Sequence, residues 1–316
     1  MEKKILAVDI GGSKMLAGVI LLTENEEKNR LEQKKYPDFE ILKTAGECLP
    51  VEISETGILE KIWKLTDDVL KEYPLETIDS VGVTIPGLAN DRVWIYAPFS
   101  GIQNFPIVEA LERRFRKPIF IENDVNACAI AEGIFGACRN VNDFIWLTIS
   151  NGIGGGIILD GKIYRGSLGF SGEFGHLNVV ENGELCGCGN RGCLEAECAG
   201  PGISRFYARL TGERIPAADI AKRAQEGEEN ALKTFEREGK VLGHALANAS
   251  NILNPAKIII GGGVARAWKF FAPAMEREFQ KNIFQRANVN IKIEPTALGY
   301  EAALLGAAAL TLPTGQ

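Results

Sequence analysis

Three short apolar runs in this chain each end in a cluster of glycines, a pattern that restricts the possible folds more than any other feature. Lys4–Ile10 passes through Asp9 into Gly11-Gly12-Ser13. Phe144–Ile149 leads into Ser150-Asn151-Gly152-Ile153-Gly154-Gly155-Gly156, and Lys257–Ile260 into Gly261-Gly262-Gly263. Such runs, bounded by glycine, read as strands. Between them lie stretches with apolar residues at helical spacing. One covers residues 56–73, with Ile58, Ile62, Leu65, Val69 and Leu70, and another covers 229–253. Further strands are expected at Met15–Leu22, Val81–Ile85, Pro118–Ile121 and Gly156–Leu159, and further helices at 106–115, 124–137, 194–210, 216–225 and 300–311. Strands alternating with helices predict an α/β fold layered around a central sheet.

The chain has 316 residues, 46% of them apolar, which suits two domains sharing a cleft. The expected division is a domain of residues 1–120, joined by the C-terminal helix at about 300–316, and a larger domain of 121–299. A formal net charge of −6 and no block rich in Lys or Arg argue against a nucleic-acid or membrane-binding surface. No stretch approaches the ~20 apolar residues of a membrane span. The first apolar run is too short for a signal peptide. A soluble, cytoplasmic protein is expected.

Candidate chemistry gathers in a few places. Glycines at Asp9-Ile10-Gly11-Gly12-Ser13-Lys14 let backbone N–H groups approach a phosphate, and a carboxylate at a strand end can hold a metal-bound water. The same residues also make an ordinary hairpin. The second cluster, Ser150–Gly156, could likewise cradle phosphates. Gly156–Lys162 fits G-x-x-x-x-G-K, but Ile163 stands where a phosphate loop needs Ser or Thr, and the intervening residues read as a strand. Gly261–Gly263 lacks the dinucleotide spacing, although it could approach a nucleotide. Glu122-Asn123-Asp124-Val125-Asn126 ends a strand and opens a helix. Its local pattern is that of a helix cap, and it also suits an Asn that binds a substrate hydroxyl beside an Asp that takes its proton.

Of the seven cysteines, Cys186, Cys188 and Cys193 crowd together ten residues after His176, one of two histidines. One imidazole and three thiolates form a Cys3His set suited to tetrahedral structural Zn²⁺, the alternative being buried free thiols. Gly187, Gly189 and Gly192 permit the turns that would converge the sulfurs. An odd cysteine count fits a reduced compartment and not a disulfide framework. Cys128, Cys138 and Cys198 lie on apolar helical stretches and are expected in the core.

Taken together, these segments resemble the ROK family (repressors, open reading frames and sugar kinases) along nearly the whole chain. The most specific part is Gly172-Glu173-Phe174-Gly175-His176, followed by Cys186-Gly-Cys-Gly-Asn-Arg-Gly-Cys193-Leu194-Glu195-Ala196. The resemblance implies an actin-like, hexokinase-type fold of two α/β domains, with nucleotide and sugar meeting in the cleft. It also implies an ATP-dependent hexose kinase, glucose being favoured and N-acetylmannosamine second. By the same resemblance Asp9, Gly11, Gly12, Ser13, Lys14, Asn151, Gly152, Gly154, Gly262 and Gly263 face ATP. Gly87, Asn123, Asp124, Glu173, His176 and Glu195 contact sugar, with Asp124 as base for the 6-hydroxyl and His176 also a zinc ligand. Mg²⁺ would bridge the phosphates, reached by Asp9 through water, and the protein would form a dimer or tetramer.

The sequence departs from the family pattern at three places. Ser13 stands where Thr is usual, and Ser150-Asn151-Gly152 replaces G-T-G. Phe99-Ser100-Gly101 follows Ala97-Pro98 where many hexose kinases of the family carry an Asn. Two other classes remain: a sugar-responsive repressor and a sugar-binding protein without catalysis. Repressors of the family carry a helix-turn-helix domain in front. Here the first strand begins by residue 4, which leaves no room for one, and both phosphate loops with Asp124 are present.

Overall fold

The computed structural model describes residues 2–24, 36–50, 52–97 and 101–313. The first hairpin forms as its sequence demands. β1 (Glu2–Ile10) and β2 (Lys14–Thr23) pair antiparallel with Ile10 opposite Met15, and Gly11 N–H donates to the Lys14 carbonyl at 2.8 Å to close the turn. Ile5, Leu6, Ala7 and Val8 are all fully buried, which is why this strand reads as a continuous apolar run and not an alternating one. β3 (Asp38–Cys48) adds to β2. Helix α1 (Glu55–Leu70) starts where the Ser54 side chain accepts the Gly57 N–H at 3.1 Å, and it buries the stripe Ile58, Ile62, Leu65 and Val69.

The strand β4 (Ser80–Ile85) lies parallel to β1. A small sheet of β5 (Leu88–Ala89), β6 (Trp94–Tyr96) and β7 (Gln103–Phe105) follows. Then come α2 (Ile107–Phe115), β8 (Ile119–Asn123) and α3 (Asp124–Ile134). β8 pairs parallel with β4, so the sheet order is β3-β2-β1-β4-β8. Phe99 and Ser100 fall outside the described residues.

The second sheet has the order β11-β10-β9-β12-β13, built from β9 (Phe144–Ile149), β10 (Ile153–Leu159) and β11 (Lys162–Ile163) with two later strands. The Asp160-Gly161 turn takes φ of 51° and 74°, the left-handed pair that a two-residue hairpin needs. Helices α4 (Leu194–Cys198), α5 (Gly200–Thr211), α6 (Ala217–Gln225) and α7 (Glu229–Leu253) precede β12 (Lys257–Gly261). Helix α8 (Trp268–Asn282) and β13 (Lys292–Pro295) come next, and the helix Ala302–Ala309 is the last described element. α7 and α8 approach to backbone contact: a Cβ at Gly239 would lie 2.2 Å from the Phe271 carbonyl oxygen, and one at Gly243 2.3 Å from that of Met275. Among the described residues no helix is long and apolar enough to cross a membrane.

Three expectations from sequence need correction. The chain divides into compact units at Asn142/Asp143, with 158–170 and 297–316 rejoining the first unit, and not at residue 120. The reason is α3, which packs with the C-terminal helix in the first unit. A Cβ at Gly306 would meet the Ala127 backbone at 2.7 Å, and one at Gly82 in β4 would sit 1.8 Å from the Ala307 oxygen. The helix expected over 194–210 is broken at Ala199, where the chain is extended. Pro201 opens the second piece, and Gly200 N–H is committed to the Ser150 carbonyl at 2.8 Å. Finally, the glycine loop is shorter than expected: Ser150–Gly152 make the turn, and the strand expected from Gly156 already begins at Ile153, with Gly154 and Gly155 inside it.

Candidate active site

In the first unit the carboxyl ends of three neighbouring parallel strands carry the polar groups. Asp9 on β1 stands opposite Thr84 on β4, whose hydroxyl donates to Asp9 Oδ1 at 2.8 Å. β8 delivers Asn123 and Asp124 beside them. This is the edge at which open α/β sheets bind ligands.

Asn123 is the residue that caps α3. Its Oδ1 accepts the N–H groups of Val125 at 2.9 Å and Asn126 at 3.1 Å, while its Nδ2 donates to the Gly87 carbonyl at 2.9 Å. Asp124 is the first helical residue, and its Oδ1 shares the Val125 N–H at 3.0 Å. Capping therefore falls mainly to Asn123, and Asp124 keeps an oxygen for other chemistry. The surrounding protein, together with the Asp9 charge, pushes the Asp124 carboxyl up from 3.8 to about 7. Burial also raises Asp9, to about 6, opposed by the Thr84 hydrogen bond and the Lys14 charge.

Lys14 lies beside the first glycine turn. Its Nζ donates to Tyr300 Oη at 2.7 Å and sits 4.0 Å from that ring's centroid, while Gly12 and Ser13 are exposed. Glu122 and Arg165, which no local pattern singles out, form an ion pair next to Asn123.

The second unit holds the other residues. Asn151 and Gly152 form the β9–β10 turn, and Glu195 Oε2 accepts the Ile153 N–H there at 3.0 Å. A Cβ at Gly152 would come 2.6 Å from that carboxylate. Gly155 serves packing, since a Cβ on it would strike Phe174 at 2.1 Å; its bareness lets Gly172–Phe174 lie against β10. Glu173 and His176, at the ends of that short turn, are exposed, with His176 Nε2 at 3.8 Å from Glu173 Oε2. Gly262, at φ 83°, packs on the Ile149 backbone, whereas a side chain at Gly263 would enter open space.

The ligand-type atoms of His176, Cys186, Cys188 and Cys193 all lie within 4.8 Å of one another. Cys186 Sγ is 3.7 Å from His176 Nδ1, and Cys188 Sγ is 3.7 Å from Cys193 Sγ. Sulfurs bound to one tetrahedral zinc stand about 3.8 Å apart, close to the Cys188–Cys193 separation, so the donor set suits that ion. Gly189 and Gly192 take positive φ in this loop, and a Cβ at Gly192 would overlap the Val180 oxygen at 1.8 Å; Gly187 needs no such conformation. Cys128, Cys138 and Cys198 are buried away from this set.

The DNA-binding transcriptional dual regulator NagC of Escherichia coli K12 is 34% identical over 267 residues, which is 81% of this chain and 65% of the regulator. The glucokinase of Thermotoga maritima is 29% identical over 324 residues, covering 97% of this chain and 96% of its own. A ROK family glucokinase from Streptomyces griseus, solved with glucose and AMPPNP, is similar at a TM-score of 0.80 and 29% identity, covering 97% of this chain and 98% of that one. The chain spans only 60% to 65% of the length of the repressors it matches. The likeness to solved ROK kinases makes the fold the two-domain, actin-like type of hexokinases. With the ROK family model matching residues 5–313, the chain belongs to the ROK family.

Proposed function

We propose that this chain is an ATP-dependent kinase of a hexose, acting at the 6-hydroxyl, with glucose as first candidate substrate and N-acetylmannosamine as second. The observation that carries the proposal is the division of labour at α3. Asn123 takes the cap, and Asp124 is left with a carboxyl raised to about 7, the range in which a general base works at neutral pH. The glucokinase relatives match along nearly their full length and support the same activity.

Asp124 takes the proton of the sugar 6-hydroxyl as its oxygen bonds to the γ-phosphorus of ATP and the bond to ADP breaks. Asn123 spends one amide hydrogen on Gly87, and the other is a donor to the sugar. In this assignment Asn123 and Asp124 hold the 4- and 6-hydroxyl end, and Glu173, His176 and Glu195 the hydroxyls around C1 to C3. Asp9, Gly11, Gly12, Ser13, Lys14, Asn151, Gly152, Gly154, Gly262 and Gly263 serve the nucleotide. A Mg²⁺ ion would neutralise phosphate charge, with Asp9, a hard oxygen donor of the kind it prefers, reaching it through water. Zn²⁺ on His176 Nδ1 and the three thiolates would fix the turn that carries Glu173 and the start of α4 that carries Glu195, leaving Nε2 toward substrate.

ADP formation with glucose, mannose, N-acetylglucosamine, N-acetylmannosamine, fructose and xylose tests this. One hexose should lead on kcat/KM, and xylose should turn over poorly because its pyranose lacks the exocyclic hydroxyl. Xylose in the lead, or no ADP above background from any hexose, would overturn the proposal. The 34% identity to a DNA-binding regulator favours one second reading, a sugar-responsive regulator. Sugar binding without ADP formation would select it.

A further inference from the structure

The two oxygens of Glu122, a side chain only 10% exposed at the end of β8, bind different partners. Oε1 accepts the Asn123 backbone N–H at 2.9 Å and Asn126 Nδ2 at 3.2 Å, reaching one turn into α3. Oε2 accepts two hydrogen bonds from Arg165, Nε at 3.0 Å and Nη2 at 2.6 Å. A carboxylate this enclosed is costly unless an opposite charge and full hydrogen bonding meet it, and the planar guanidinium supplies both. Arg165 belongs to the 158–170 segment that rejoins the first unit. The same segment places Gly169 against Leu88, where a Cβ would lie 3.5 Å from Leu88 Cδ1. Leu88 follows Gly87, whose carbonyl holds the Asn123 side chain. The segment thus reaches both supports of Asn123, one through Glu122 and one beside Gly87.

We infer that Glu122 and Arg165 are positioning residues: the pair fixes the first turn of α3 so that Asn123 and Asp124 present their side chains in working geometry. The kinetic part of this inference rests on the proposed kinase activity; the structural part does not. Neither residue needs to touch the sugar. They act through the Asn123 backbone and the Asn126 amide, and small displacements of a reacting group are expensive in rate.

Four proteins test the pair: Arg165→Ala, Arg165→Lys, Glu122→Gln and the double variant Glu122→Gln/Arg165→Ala. Arg165 is more than half exposed, so its replacement leaves the core intact. Hydrogen exchange of amides in peptides spanning residues 119–134 should accelerate by ~10-fold or more in Arg165→Ala, with distant peptides unchanged. On the preferred sugar kcat should fall about 10- to 100-fold while KM for ATP stays within about twofold. Arg165→Lys should recover only part of the loss, because an ammonium cannot make the two-pronged bond. The double variant should be no worse than about twofold below the poorer single one, as expected for two members of one unit. Unchanged exchange in residues 119–134 overturns the inference even if no sugar yields ADP. So does a kcat within twofold of wild type in an enzyme that Asp124→Asn disables.

Discussion

The carboxylate cluster of the first unit and the cysteine-histidine cluster of the second are assembled in opposite ways. Asp9 is held by Thr84, 75 positions away in sequence, and Asp124 follows the end of a third strand. Cys186 and His176 are 10 positions apart and belong to one loop. In the first cluster the sheet does the gathering, and the groups gathered repel: each carboxyl is pushed up by burial, and Asp124 also by its neighbour. In the second, local turns do the gathering, and the groups converge on a geometry that one cation would satisfy. Raised carboxyls are the pattern from which a general base is drawn, whereas a closed Cys3His set is the pattern of a structural metal site.

The sharpest way to break this contrast is Asp124→Asn. The amide keeps the shape and the Val125 contact and loses the base, so kcat should fall ~10²- to 10⁴-fold with sugar affinity changed much less. Single-turnover kinetics with a binding titration check it, and near wild-type kcat would return Asp124 to a capping role. Next in size is Cys188→Ser. Metal analysis should fall from one zinc per chain toward none, with kcat/KM for sugar down about 10- to 100-fold and the Asp124 pH dependence unmoved. Protein purified without chelator and free of zinc would end the comparison.

The pH response comes third. Only ionised Asp124 accepts a proton, so kcat should rise about tenfold from pH 6 to 8 with a midpoint near the carboxyl's value of about 7. Stability should run the other way. A carboxyl raised from 3.8 to about 7 binds its proton more tightly in the folded state, so its contribution is complete below 3.8 and is lost as pH climbs through 7. Thermal melts of wild type and Asp124→Asn across pH 4 to 8 check this; parallel profiles would refute it. The smallest effect is reserved for Cys48→Ser. This thiol is exposed and outside the ligand set, so zinc content should stay at one per chain and the melting temperature should move by no more than about 1 °C.

The sequence shows the second cluster more readily than the first for the same reason. Four ligand-type residues within one loop leave a spacing that can be read directly, but nothing in the vicinity of Arg165 points to Glu122, 43 positions earlier. Elements follow a similar rule. α1 and α7 bury regular stripes whose period is visible, and β1 is visible as an unbroken apolar run. β3 is mostly half-buried, with the pattern of an edge strand, so Asp38–Cys48 carries no clean alternation. α8 carries Pro273 in its interior, which reads as a helix breaker, and β5–β7 are two or three residues each, shorter than any period. The expected loop at Gly154-Gly155 became a strand, with Gly155 serving close packing by Phe174, a tertiary demand that composition does not reveal.

The contact between Gly82 and Ala307 has a consequence for synthesis. β4 is an inner strand of the first sheet, yet the surface that receives the helix Ala302–Ala309 stays bare until that helix has left the ribosome, more than 200 residues later. The second unit, encoded in between, can complete its own core earlier. The nascent protein therefore carries an unfinished N-terminal sheet through most of translation, a long exposure of apolar surface to chaperones and to neighbouring chains.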